Sequence, residues 1–296
     1  MNILFVASEA HPFIKTGGLG DVMGALPVAL KELGSDVRVV IPNYRDISEE
    51  LKSKFKFIKN FTVKVGWRNQ YCGIFEYIHE GVKFYLIDNE YYFKRGGLYG
   101  YYDDGEKFAF FSRAVFEFLN HSDWTPDIVH CNDWQTAMIP VLHKLEYIND
   151  VKFSNMKTIL SIHNLFFKGM FSPEVLPELF GYDYQQYHNG GLEHNGAVSL
   201  LKGGINYADR VITVSKTYAE EIKTPEYGEQ LDGLLRYRGD YLQGIVNGID
   251  FKEYDPENDT YIKYKYDTKS LPKKARNKEE LQKELNLPVD KKIPMI

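Results

Sequence analysis

A chain of 296 residues with 44% hydrophobic and 26% charged residues has the length and balance of a globular protein with a large core. Its formal charge is −5, from 36 basic and 41 acidic side chains, and basic residues never run longer than a pair. The basic footprint of a nucleic-acid or anionic-membrane partner is therefore missing, and neither partner is expected. Two isolated cysteines, Cys72 and Cys131, fit neither a disulfide framework nor a zinc-ligand spacing. No stretch approaches the roughly 18 apolar residues of a membrane helix. The first apolar run, Ile3 to Ala7, lacks the basic flank of a signal peptide, so a cytoplasmic protein is expected.

In chain order, "NILFVAS" (2–8) is a continuous apolar run that predicts a strand buried on both faces. A glycine-bearing loop follows. Val22, Ala25, Leu26, Ala29, Leu30 and Leu33 then recur at helical spacing up to Gly34, with Pro27 predicted to kink the helix. "DVRVVIP" (36–42) completes a βαβ unit with parallel, right-handedly connected strands. "FTVKVGW", "YCGIFEYI" and "VKFYLIDN", separated by "RNQ" and "HEG", predict antiparallel strands. After the glycine-rich loop 93–105, a helix carries Phe108, Phe111, Val115 and Phe118 in register. "DIVHC", a helix from about Trp134, "KTILSIH", a helical stretch from Val198 to Tyr207 and "RVITVS" restore the β-then-α rhythm. "GIVNGID" (244–250) reads as a strand ending in an Asn-Gly turn. The charged helix "KKARNKEELQKELNLP" (273–288) is stopped by Pro288, and "IPMI" (293–296) reads as the opening of one more buried strand, as expected of a piece of something longer. The class is α/β with a mainly parallel sheet.

The loop "HPFIKTGGLGDV" (11–22) lies where open α/β sheets bind ligands, beyond the carboxyl end of the first strand. A helix N-terminus there offers free N–H groups and partial positive charge, Gly17 and Gly18 put no Cβ in the way of a phosphate, and Lys15 adds a full charge. The spacing is neither G-x-G-x-x-G nor G-x-x-x-x-G-K-[ST], so no dinucleotide site or P-loop follows. By residue type alone, the glycines could instead serve only a turn and close helix–strand packing.

Other residues carry the same two readings. His163 ends a buried strand and is either a hydrogen-bonded structural residue or part of the crevice. Asp133 could cap a helix starting at Trp134. Asp21 could be a first-turn carboxylate favoured by the helix dipole. Asn247 is a good turn residue, and Tyr99 could be a loop aromatic covering the core. His188, Glu193 and His194 do not match H-E-x-x-H, and no metal site is expected. No G-x-S-x-G elbow is present.

"KTGGLGDV" resembles the K-[ST]-G-G-L-[AG]-D-V signature of bacterial glycogen synthases and plant starch synthases. "GGLYG" (96–100), "NDWQT" (132–136), "SIHNLFFKG" (161–169), "LLKGGINYADRVITVS" (200–215) and "IVNGID" (245–250) continue the match in order along nearly the whole chain. The resemblance implies the first half of a GT-B architecture, two Rossmann-like domains facing across a cleft. Residues 1–265 would be the N-terminal Rossmann-like domain, with helices on both sheet faces and an antiparallel hairpin region. Residues 266–296 would be an interdomain helix and the first strand of a second domain missing from this chain.

The implied activity is retaining transfer of glucose from ADP-glucose, with UDP-glucose as the alternative donor, to the non-reducing 4-OH of an α-1,4-glucan, without metal or cofactor. On the matched positions, His163, Asp133 and Asp21 become catalytic-site residues, with the His163 carbonyl against the anomeric carbon and its ring at the sugar 6-OH. Lys15, Gly17, Gly18 and Asn247 become donor-binding, and Tyr99 and Asn164 acceptor-binding. The sequence departs from the pattern at Asn132 and Gln135, where many members have histidines. A different GT-B glucosyltransferase and a glucan-binding module without transferase activity are the two competing classes.

Overall fold

The computed structural model, which describes residues 1–295, gathers the apolar runs into one nine-stranded sheet. Its strands are β1 (Asn2–Val6), β2 (Asp36–Pro42), β3 (Lys56–Val65), β4 (Arg68–His79), β5 (Val82–Asp88), β6 (Ile128–Asn132) and β7 (Lys157–Ile162). After a small antiparallel sheet of β8 (Met170–Phe171), β9 (Glu193–His194) and β10 (Ala197–Ser199), the large sheet is completed by β11 (Arg210–Thr213) and β12 (Leu242–Gly244). The order is β12-β11-β7-β6-β1-β2-β5-β4-β3, parallel from β12 to β5 and antiparallel at the β5-β4-β3 end. Leu4, Phe5 and Val6 on β1 and Val39, Val40 and Ile41 on β2 are all fully buried. Continuous apolar runs of this kind suit strands covered on both faces.

Helices Gly18–Glu32, Asp104–Asn120, Met138–Leu142 and Leu200–Tyr207 flank the sheet. Helix Asp104–Asn120 buries Phe108, Phe110, Phe111 and Phe116 completely or nearly so. β1 has β2 on one side and β6 on the other, so the connections leaving β1 and β6 diverge and open a crevice at their carboxyl ends.

Several sequence boundaries shift. The first hairpin does not turn at "RNQ": β4 begins at Arg68, opposite Val65, because Gly66 (φ +57°) makes the turn with Trp67. In the second, Glu80 and Gly81 both have positive φ, as the tight turn between His79 and Val82 requires. Residues 134–137 form turns and the helix begins at Met138, since the Asp133 carboxylate is engaged elsewhere and caps nothing at Trp134. Val198 lies in β10, and the following helix starts at Leu200, capped by the Ser199 side chain.

The predicted strand 244–250 is a correction as well. β12 ends at Gly244 because its ladder partner β11 ends at Thr213, whose carbonyl accepts the Ile245 N–H at 2.8 Å, and residues 245–250 have no regular secondary structure. The charged helix Lys274–Glu284 ends before Pro288, with Leu285 as its C-cap and Asn286 following in the left-handed region (φ +55°). Residues 293–295 form no strand, and Ile296 lies outside the described residues.

The chain divides into two compact units, Met1–Asn247 and one beginning at Gly248, whereas the sequence places its boundary after residue 265. Within the smaller unit the backbone N–H of Tyr264 donates to Asn277 Oδ1 at 2.9 Å, and Lys263 pairs with Glu280 at 2.6 Å. No helix among the described residues is long and apolar enough to cross a membrane.

Two glycines with positive φ allow a graded test. A Cβ on Gly34 (φ +89°) meets nothing within 4 Å, whereas one on Gly66 would sit 1.9 Å from the Glu178 carbonyl oxygen. Gly34→Ala is expected to cost about 1 kcal/mol of unfolding free energy in urea, the left-handed penalty alone. Gly66→Ala is expected to cost clearly more, and equal losses would contradict the observed packing.

Candidate functional site at the carboxyl ends of β1, β6 and β7

β1 delivers its chain to Ser8 and Glu9. Glu9 is buried, at 3% exposure, and its Oε2 accepts hydrogen bonds from the Thr16 backbone N–H at 2.6 Å and the Thr16 hydroxyl at 2.8 Å. The His11 N–H ties the other side of the loop to the Gly20 carbonyl at 2.9 Å. These bonds hold the loop against the helix that follows.

The three glycines then separate by role. A Cβ on Gly20 would lie 2.4 Å from the Lys15 Cβ, so Gly20 serves packing, while Gly17 and Gly18 have nothing within 4 Å of a Cβ. Gly17 is the N-cap of helix Gly18–Glu32 in an extended conformation, and no side chain caps that helix. Its first N–H groups and partial positive charge are left toward open space. Lys15 and Asp21 are brought together, Nζ to Oδ1 at 2.7 Å, each more than a third exposed.

β6 and β7 build the facing wall. Asn132, the last residue of β6, is fully buried, and its Oδ1 lies 2.9 Å from His163 Nε2. Asp133 has φ +56°, a conformation costly for a residue other than glycine, and donates its N–H to the Ser161 carbonyl at 2.9 Å. This bend aims its carboxylate back across β7, where Oδ1 accepts the His163 N–H at 2.8 Å and, more weakly, the Asn164 N–H at 3.4 Å. Burial raises the Asp133 carboxyl to about 7 against the pull of those two N–H groups, and the Glu9 charge adds to the rise.

Burial also lowers His163 to about 4 and His130, which shares a hydrogen bond of 2.6 Å with the Ser161 hydroxyl, to about 3. Both rings are neutral at pH 7. The Asn164 side chain turns back on its own loop, with Oδ1 accepting the Phe166 N–H at 3.0 Å.

The loop 96–100 reaches the same edge. Tyr99 shares a 2.6 Å hydrogen bond with Ser8, and its ring packs near Phe108. Burial pushes its phenol up, so it stays protonated. Lys107, only 1% exposed, pins this loop by donating to the Leu98 carbonyl at 2.7 Å and to Asp104 at 2.6 Å. Asn247 stands apart, exposed beyond the end of β12.

Sequence reasoning gave no role to Glu9 or Lys107, or to Phe166 and Phe167, which stand 63% and 57% exposed next to Asn164. An acidic residue directly after an apolar strand, and a lysine between core positions of an apolar helix, were the available signals. Among the described residues, no group of three His, Cys, Asp or Glu side chains could hold a metal ion.

The family described as the starch synthase catalytic domain matches residues 2–237. The chain belongs to that family. The glycogen synthase of Clostridium botulinum (strain Eklund 17B / Type B) is 59% identical over 297 residues, covering 100% of this chain and 62% of the relative. That of Clostridium perfringens (strain 13 / Type A) is 60% identical over 296 residues, covering 100% and 61%. Among solved structures, the catalytic domain of starch synthase IV from Arabidopsis thaliana, bound to ADP and acarbose, superposes with a TM-score of 0.87 at 30% identity, over 96% of this chain and 59% of that one. The chain thus spans 61–62% of the length of these curated relatives.

The two shifted groups have opposite effects on stability. The folded state holds the Asp133 proton more tightly than the unfolded state between pH 3.8 and about 7, so this group's contribution falls as pH rises through that window. His163 binds its proton more tightly unfolded, between about 4 and 6.5, so its contribution rises there. Asp133→Asn, compared with the parent by urea unfolding from pH 4.5 to 8, is expected to gain relative stability up to about pH 7 and then level off. A difference that does not change with pH would mean the carboxyl is not held protonated.

Proposed function

We propose that this chain is the N-terminal half of a retaining glucosyltransferase that elongates an α-1,4-glucan from ADP-glucose. The observation that carries the proposal is the pairing of two unlike walls on one crevice. One is an uncapped helix N-terminus with bare Gly17 and Gly18 beside Lys15. The other is a wall of neutral His163, the Asn132 amide that holds it, and an Asp133 carboxyl pushed toward protonation. A sugar nucleotide has the same division, an anionic diphosphate joined to an uncharged hexose. The names of the relatives, and the ADP and acarbose on the structural neighbour, support the same assignment.

In this scheme Lys15 and the Gly17–Gly18 amides receive the diphosphate, with Asn247 at the donor. The Asp133 carboxyl, near its midpoint at neutral pH, accepts or donates to sugar hydroxyls. The His163 carbonyl offers partial negative charge to the cation-like anomeric carbon without attacking it. Asp21 lies toward the acceptor, and Tyr99, Asn164 and the exposed Phe166–Phe167 pair line its approach.

The reaction follows front-face attack: the acceptor 4-OH bonds to the anomeric carbon, the bond to the diphosphate breaks on the same face, and the departing phosphate takes the hydroxyl proton. Positioning and charge complementarity supply the rate, without a metal or cofactor. The second wall, with most of the nucleotide pocket, belongs to the remaining length of the relatives, and the reaction is set in the cytoplasm.

Transfer of labelled glucose to glycogen from ADP-glucose and UDP-glucose tests this. The 296-residue chain should be run beside a protein extended to the relatives' full length. Incorporation by the extended protein alone, chiefly from ADP-glucose, is the expected outcome. In that protein Lys15→Ala is expected to lower kcat/KM for the donor by about 10²-fold. Sustained synthesis by the 296-residue chain would refute the half-site reading, and a folded extended protein inactive with both donors would refute the activity.

A further inference from the structure

Asn132 has no part in the reaction as written, yet it is the most constrained polar side chain at the site. Its Nδ2 donates to the Val6 carbonyl at 3.1 Å and lies 3.3 Å from the His130 carbonyl. Carbonyl oxygens only accept, so these two contacts fix which end of the amide is nitrogen. Oδ1 is then the atom facing His163 Nε2 at 2.9 Å. An amide oxygen also only accepts, so the imidazole proton resides on Nε2 and a lone pair on Nδ1.

The backbone of the same histidine is held independently, through its N–H on Asp133 Oδ1 at 2.8 Å. Ring and backbone are thus pinned from two successive residues of one strand end. His163 Nδ1 has no protein hydrogen bond among the described residues and is not among the buried unpartnered atoms. Of the titratable groups near His163, His130 is neutral and engaged with Ser161, and Asp133 holds the backbone N–H.

We propose that Asn132 is a positioning residue that locks His163 as the Nε2–H tautomer, so that the ring presents only a hydrogen-bond acceptor, Nδ1, to a ligand. An acceptor there suits a hydroxyl donor, the contact the resemblance already implies for this ring, and not a phosphate oxygen, whose lone pairs would oppose that of Nδ1. That this hydroxyl belongs to a sugar rests on the proposed function; the tautomer does not. The crevice thereby sorts its ligand, with the anion directed to the Lys15 and glycine side and the uncharged part to His163.

Imidazole nitrogen NMR on histidine-labelled protein tests this without turnover, so an inactive enzyme would leave the result intact. The parent chain is expected to show a protonated Nε2 and an unprotonated Nδ1 at His163 from pH 5.5 to 8. A protonated Nδ1, or signals averaged between tautomers, would overturn the proposal.

Asn132→Asp keeps the acceptor and adds a negative charge. It should retain the Nε2–H form and raise the His163 midpoint by at least about one pH unit; an unshifted midpoint counts against contact between the two residues. If that variant fails to fold, the parent spectrum still decides. Maltose is expected to move the Nδ1 signal more than inorganic pyrophosphate does. The reverse order, or no response to maltose, overturns the assignment of a hydroxyl ligand.

Discussion

The central position of β1 is the constraint from which the rest follows. Because β1 pairs in parallel with both β2 and β6, the chain must leave it in one direction and return on the other side. No connection can cover the carboxyl ends of β1 and β6 together, and the gap is unavoidable. Glu9, Asn132 and Asp133 all sit within three residues of those strand ends. Asn132 is therefore placed by the hydrogen-bond ladder of the sheet, and Glu9 and Asp133 by the short segments that leave the strand ends.

The polar groups at that gap are disposed against their own solvation. Asp133 is bent into a left-handed conformation and held toward protonation, while His163 and His130 are held neutral. Each costs stability near neutral pH or below it, and the surrounding core of fully buried Phe5, Val6 and Cys131 bears that cost. An arrangement this unfavourable to charge is suited to a ligand whose nearest part is uncharged but rich in hydroxyls.

The parallel strands were legible because apolar runs buried on both faces leave an unambiguous pattern, and the glycine loop was legible as the turn from the first strand into a helix, where Gly20 is needed for close packing; the order of the strands across the sheet was not. Nor was local hydrogen bonding. The helix predicted from Trp134 starts four residues later because Asp133, a plausible cap by type, spends its carboxylate on the backbone of His163 thirty residues away. The strand predicted over 244–250 failed because pairing depends on where β11 stops, which no local pattern reports. Asn132 could be seen only as a departure from a family pattern; that its amide orients a histidine depends on Val6, distant in sequence and adjacent only across the sheet. Lys107 is unreadable for the same reason, since the carbonyl of Leu98 that justifies its burial comes from an irregular loop.

The Lys15–Asp21 pair has to be understood against this rigid background. It joins two partly exposed side chains at 2.7 Å across the first turn of the helix, and pairs of that kind contribute about 0–1 kcal/mol. A diphosphate at the helix N-terminus would offer Lys15 two or more negative charges in place of one, and exchange of partner would cost little. On that reading Asp21, once released, would be an acceptor beside the uncharged part of the ligand. On the proposed function, the weak pair would keep a cation and a carboxylate in place and hydrated until the ligand arrives, and its weakness would let both change partners. A strong buried pair at the same position would oppose binding with every kcal/mol it contributed to folding.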